Sequence, residues 1–178
     1  MGCIQINSLK NKKNNILTNQ LIKEVNKNKF IEEALKQHNK LRNEHHAENL
    51  IIEEKLQNYA QNFAEELANK NEEYHSQCEL EGKIIGENIF VSNNNNITGE
   101  KMTNDFYNEI NNYDFNKGEC VINASRFTQL VWKNSKEVGF GIAKSKSGKI
   151  YVVVNYYPAG NNLGEYKENV ENFVKKSK

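Results

Sequence analysis

The stretch Arg126-Phe127-Thr128-Gln129-Leu130-Val131-Trp132-Lys133-Asn134-Ser135, followed by Glu137-Val138-Gly139-Phe140-Gly141-Ile142-Ala143 and then by Ile150-Tyr151-Val152-Val153-Val154-Asn155-Tyr156, decides the fold. Its first part reads as a short helix over Ala124 to Trp132. The two runs that follow are rich in β-branched and aromatic residues and flank a Ser145–Gly148 turn. They predict a hairpin of Glu137–Ala143 with Lys149–Tyr156. Pro158, the only proline, cannot donate to a ladder and ends the second strand.

Working outward, apolar residues at helical spacing predict three further helices. Phe30, Ile31, Ala34, Leu35, His38 and Leu41 mark the first. Leu56, Tyr59, Ala60, Phe63, Ala64 and Leu67 mark a second over Glu53 to Asn69. The third starts at Thr98 as N-cap and carries Met102, Phe106, Tyr107 and Ile110. Gly160 and Gly164 mark a loop, and Glu165–Val174 reads as a terminal strand or short helix. Helices on both sides of a small antiparallel sheet make an α+β chain, a three-layer α/β/α sandwich.

Residues 1–28 form a basic arm rich in Asn and Lys, with a short helix around Leu17–Val25, and residues 29–178 form the domain. Residues 1–30 carry a net +5 and the remainder −4. The 31 Asn and 22 Lys against 2 Arg reflect codon composition, so the Asn93–Asn96 run receives no functional weight. A net charge of +1 offers no field for nucleic acid. Cys3, Cys78 and Cys120 are too few for a disulfide framework and suit a reducing compartment. Neither a secretory leader nor an apolar run of spanning length is read, so the expected location is intracellular, not secreted.

Four segments in order carry a resemblance. They are His38-Asn39-Lys40-Leu41-Arg42-Asn43-Glu44-His45; Gly86-Glu87-Asn88 preceded by His75; Phe106-Tyr107-Asn108-Glu109-Ile110-Asn111-Asn112-Tyr113; and the Arg126 segment paired with Asn155-Tyr156-Tyr157-Pro158-Ala159-Gly160-Asn161. Over roughly 135 residues the chain resembles the CAP superfamily (cysteine-rich secretory proteins, antigen 5, pathogenesis-related proteins). Its few cysteines, with Val154 where secreted relatives place one, are similar to the Golgi-associated intracellular group. Trp132, Phe127, Tyr107 and Tyr156 read as core aromatics. His38 and Arg42 share a helix face and are expected to satisfy buried backbone. Gly86 and Gly160 are expected to serve backbone geometry.

The resemblance implies a cavity with two histidines and two acids that binds a divalent metal such as zinc in some members. The equivalents are His75, Glu87, Glu109 and Arg126, the last standing where the family has histidine; His45 and His46 belong to the first motif and do not fill it. A guanidinium repels a metal and competes for carboxylates, so Arg126 is expected to neutralise Glu87 and Glu109 together. No metal and no cofactor are therefore assigned, with His75 and Glu87 the members left to a metal if one binds. Ser76 and Ser125 sit beside His75 and Arg126 in the chain and form no triad, so no catalytic residue is assigned. A metal-dependent hydrolase ranks last among the readings.

Gly2-Cys3 followed by Lys10, Lys12 and Lys13 looks like an acylated anchor, myristate on Gly2 and palmitate on Cys3. Ile6 departs from the Ser or Thr that the myristoylation pattern prefers. The expected function is a non-catalytic binding module associated with membrane lipids or protein partners, a homodimer included, at a Golgi-like cytoplasmic face. The alternative is a structural component docked in a larger cytoplasmic assembly.

Overall fold

The computed structural model describes residues 26–173. The expectations for Gly2, Cys3, the Leu17–Val25 helix and Val174 lie outside the described residues. Helix α1 covers 26–44 and turns through His45 and His46 into a short strand, β1, at Ile51–Ile52. Helix α2 follows at Glu54–Lys70, with the Glu53 carboxylate accepting from Leu56 N at its start and Asn71 in the left-handed region at its end. A small hairpin, β2 Glu79–Leu80 with β3 Lys83–Ile84, leads into β4 at Gly86–Ser92. Helix α3 spans Gly99–Tyr107 with Thr98 as its N-cap, then tightens into a 3-10 turn over Asn108–Asn112. A second 3-10 turn, Ile122–Ala124, opens α4 at Ser125–Val131. Strands β5 Glu137–Lys144 and β6 Ile150–Tyr157 form the hairpin, and α5 is a single turn at Tyr166–Asn169.

The main sheet has the order β1-β5-β6-β4. β5, β6 and β4 are antiparallel neighbours as expected, but β1 pairs parallel with β5, which makes the sheet mixed. Residues 86–92, to which the sequence reading assigns no element, form a full edge strand, β4, paired with β6 from Gly86↔Tyr156 through Ser92↔Ile150. Ile89 is buried on one side of it while Phe90 packs on the other.

Every side chain of β6 from Ile150 to Tyr156 is buried, because the sheet is covered on both faces. Val152, Val154 and Tyr156 join Phe30, Ala34, Met102, Phe106, Phe127 and Trp132 beneath α1, α3 and α4. Tyr151 and Val153 join Ala60, Phe63, Ala64 and Leu67 beneath α2. This is the three-layer sandwich. Helix α2 lies close on β5 because Gly139 and Gly141 present no Cβ; at Gly141 one would sit 2.1 Å from Ala60 O.

The buried polar residues of α1 tie the layers together. Arg42 is fully buried and gives its hydrogens to carbonyls alone. Nε donates to Glu48 O (2.8 Å), Nη1 to Leu130 O and Trp132 O (2.9 Å each), and Nη2 to Ser135 O (2.8 Å). Removal from water pulls its pKa down to about 10. His38 lies between Ala34 O, Thr103 and the Tyr156 hydroxyl, and burial lowers its pKa to about 3, keeping the ring neutral. Asn39 brackets the backbone of Leu50 with two hydrogen bonds.

Candidate functional site

A polar cleft of about 770 Å³ runs along β4. One wall is the segment Glu73–His75 with Glu87, and the other is Glu109, Ile122, Asn123, Ser125 and Arg126, with Asn161 at the rim. All four expected site residues line it, yet they divide into two separate clusters.

On the first wall Glu87 is fully enclosed and His75 is mostly exposed, their side chains 0% and 66% accessible. His75 Nδ1 lies 2.9 Å from Glu87 Oε1. Ser76 donates twice to the same carboxylate, from its backbone N (2.9 Å) and its hydroxyl (2.7 Å). Asn155, directly opposite Glu87 in the β4–β6 register, adds a bond at 3.3 Å. Burial pushes the Glu87 carboxyl up, but the bonds from His75, Ser76 and Asn155 outweigh it and leave the acid below its usual range. The carboxylate beside it raises the His75 imidazole above its ordinary value. Cys78 Sγ closes the cluster 3.9 Å from Glu87 Oε1.

On the second wall Arg126 Nε donates to Glu109 Oε1 at 2.5 Å and Nη1 to Asp105 Oδ2 at 3.1 Å. The guanidinium also sits 5.2 Å from the centre of the Phe106 ring. Glu109 Oε2 accepts the backbone amides of Arg126 (2.9 Å) and Phe127 (3.2 Å). These are first-turn amides of α4, whose own N-cap residue, Ala124, has no side chain to offer them. Glu109 is thus a cap supplied from another element.

The expectation that Arg126 neutralises Glu87 and Glu109 together is therefore corrected. Arg126 pairs with Glu109 and Asp105, whereas Glu87 is satisfied by His75, Ser76 and Asn155. Asp105 went unnoticed in the sequence, though it lies four residues before Glu109 on the same helical face. The Ser76 hydroxyl donates to the Glu87 carboxylate, and no serine–histidine hydrogen bond is present among the described residues.

The profile of the Cysteine-rich secretory protein family (CAP) matches residues 35–156. The chain belongs to the CAP family. It is 36% identical over 143 residues to the human Golgi-associated plant pathogenesis-related protein 1, covering 79% of this chain and 92% of that protein. Pathogenesis-related protein 1A of Nicotiana tabacum is 30% identical over 136 residues, covering 75% and 78%. The fold agrees with the crystal structure of NaASP2 with Zn2+, at a TM-score of 0.62 over 82% of this chain and 87% of that one, with 21% identity.

Members of the CAP family are generally not enzymes. A zinc site built from two imidazoles and two acids does not fit this CAP domain. Arg126 holds the place of the second imidazole, and both oxygens of Glu109 are committed to Arg126 and the α4 amides. Both described cysteines, Cys78 and Cys120, are free. No helix among the described residues is long and apolar enough to cross a membrane.

Proposed function

We propose that this CAP-domain protein is a non-catalytic module that works at the cytoplasmic face of membranes, bound there through its N-terminus and presenting the domain to lipid or protein partners. The observation that carries the non-catalytic part is the division of the cleft. Arg126 neutralises Glu109 and Asp105, and Ser76 and His75 are both spent on Glu87, so no activated nucleophile and no paired acid and base face one another across it. Membrane association is supported by Gly2-Cys3 with Lys10, Lys12 and Lys13, and by the high coverage of a relative named for the Golgi. Two acyl chains would give stable attachment where one gives marginal attachment, and each lysine near an anionic leaflet adds about 1 kcal/mol.

The test is fractionation of cells expressing the full chain. Wild type should pellet with membranes and be released by detergent, Gly2→Ala should be soluble, and Cys3→Ser should divide between the fractions. If both variants pellet as wild type does, the anchor is not at these residues. A wild-type pool that resists detergent but is released by salt would point instead to a component of a protein assembly.

A further inference from the structure

We propose that His75, Cys78 and Glu87 form a binding site for a thiophilic divalent cation, of a composition different from the two-histidine arrangement that Arg126 excludes. The ligand atoms of these three residues all lie within 4.8 Å of one another. A tetrahedral zinc-type ion with bonds of about 2.0–2.3 Å holds its ligands about 3.3–3.7 Å apart. His75 Nδ1 and Cys78 Sγ stand 2.9 Å and 3.9 Å from Glu87 Oε1, on either side of that spacing. Both adjustments are small: the mostly exposed His75 swings outward to open its distance to Glu87, and rotation of the Cys78 side chain closes the other.

Two of the three ligands, Glu87 and Cys78, are aimed by contacts outside the metal shell. Glu87 is pinned by Ser76 and Asn155, the kind of outer support that fixes a ligating carboxylate. Cys78 is held at φ 53, in the left-handed region, by Ile85 N donating to its carbonyl (2.9 Å) and by its own amide donating to the Ser76 hydroxyl (3.0 Å). From there Sγ lies 3.8 Å from the Ser76 hydroxyl and 3.9 Å from Glu87 Oε1. On binding, the thiol proton leaves to solvent and His75 takes the tautomer protonated at Nε2, so that Nδ1 presents its lone pair. The thiolate and carboxylate then neutralise the dication, and the open cleft supplies water as the fourth ligand. This site owes nothing to the N-terminal anchor, so either proposal can fail without the other.

Co2+ is the probe, titrated into the reduced full-length protein. One equivalent should develop an intense near-ultraviolet thiolate-to-cobalt charge-transfer band that Zn2+ abolishes by displacement. Cys78→Ser should lose the band with its circular dichroism unchanged, while the double variant Cys3→Ser/Cys120→Ser keeps it. His75→Ala should weaken Co2+ binding by about tenfold or more. The proposal is overturned by the absence of a band in wild type, by a band that survives Cys78→Ser, by its loss in the double variant, or by unchanged Co2+ affinity in His75→Ala.

Discussion

Removing Glu109 should destabilise the domain more than removing Arg126, although the two are partners in one ion pair. Glu109 is 15% exposed and Arg126 33%. Glu109→Ala withdraws the acceptor of two first-turn amides of α4, and the loss of a helix cap costs about 1 kcal/mol. It also breaks the charge-assisted bond to Arg126, about 1.5–3 kcal/mol if fully buried but about 1 kcal/mol for an arginine that is one-third in water. The sum is about 2 kcal/mol. Arg126→Ala loses that same bond and a contact with the half-exposed Asp105, the latter about 0–1 kcal/mol, and leaves Glu109 still held by both amides. Its cost should be about 1–2 kcal/mol, below the ~3–5 kcal/mol of a buried pair that loses one partner. Urea unfolding followed through the single, buried Trp132 measures both variants and their double mutant, with unchanged slopes as the control. The double mutant should reveal a coupling of about 1 kcal/mol. An Arg126→Ala cost equal to or above that of Glu109→Ala would refute the assignment of Glu109 as a cap.

Gly141→Ala should cost about 1–3 kcal/mol through overpacking, since its Cβ would meet the α2 backbone at Ala60. Gly148→Ala, with φ 94 and open space around it, should cost only the backbone strain, so thermal midpoints that reverse this order would be inconsistent with the α2–β5 packing. Stability should also fall on acidification. The unfolded chain protonates His38 near its ordinary 6.5 whereas the folded chain resists to about 3, so stability is fully present above 6.5 and is lost as pH drops toward 3. His45, also lowered by burial, acts in the same direction. His75, raised by the Glu87 hydrogen bond, acts in the opposite one, its stabilisation disappearing as pH rises through the folded pKa. Urea midpoints across this range should show a slope that flattens in His38→Gln, and an unaltered slope would show that His38 is not the group responsible.

What was legible in the sequence and what was not divides along one physical line. The stripe Leu56, Ala60, Phe63, Ala64 and Leu67 and the run Ile150–Tyr156 announce α2 and β6 because burial imposes their periods directly on the residues. The Arg42 anchor was visible for a similar reason, since a long cation on the buried face of a helix must find acceptors. Strand β1 is two residues long, and both of its side chains are exposed, so no pattern records it. Strand β4 was missed because its polar opening, Gly86-Glu87-Asn88, conceals an alternation that begins only with Ile89. That omission explains the error over Arg126. In a strand, Glu87 and Asn88 point to opposite faces. Glu87 shares the α2 face with Ile89 and meets Asn155, its opposite number on β6, while Asn88 reaches the α4 side and donates to Arg126 O and the Tyr156 hydroxyl. A carboxylate on one face and a guanidinium anchored to α3 and α4 on the other are separated by the pleat itself. The same separation frees Glu87 from Arg126 and leaves it with His75 and Cys78. Any chemistry of this cleft therefore belongs to its first wall, whereas the second wall is committed to holding α4 in place.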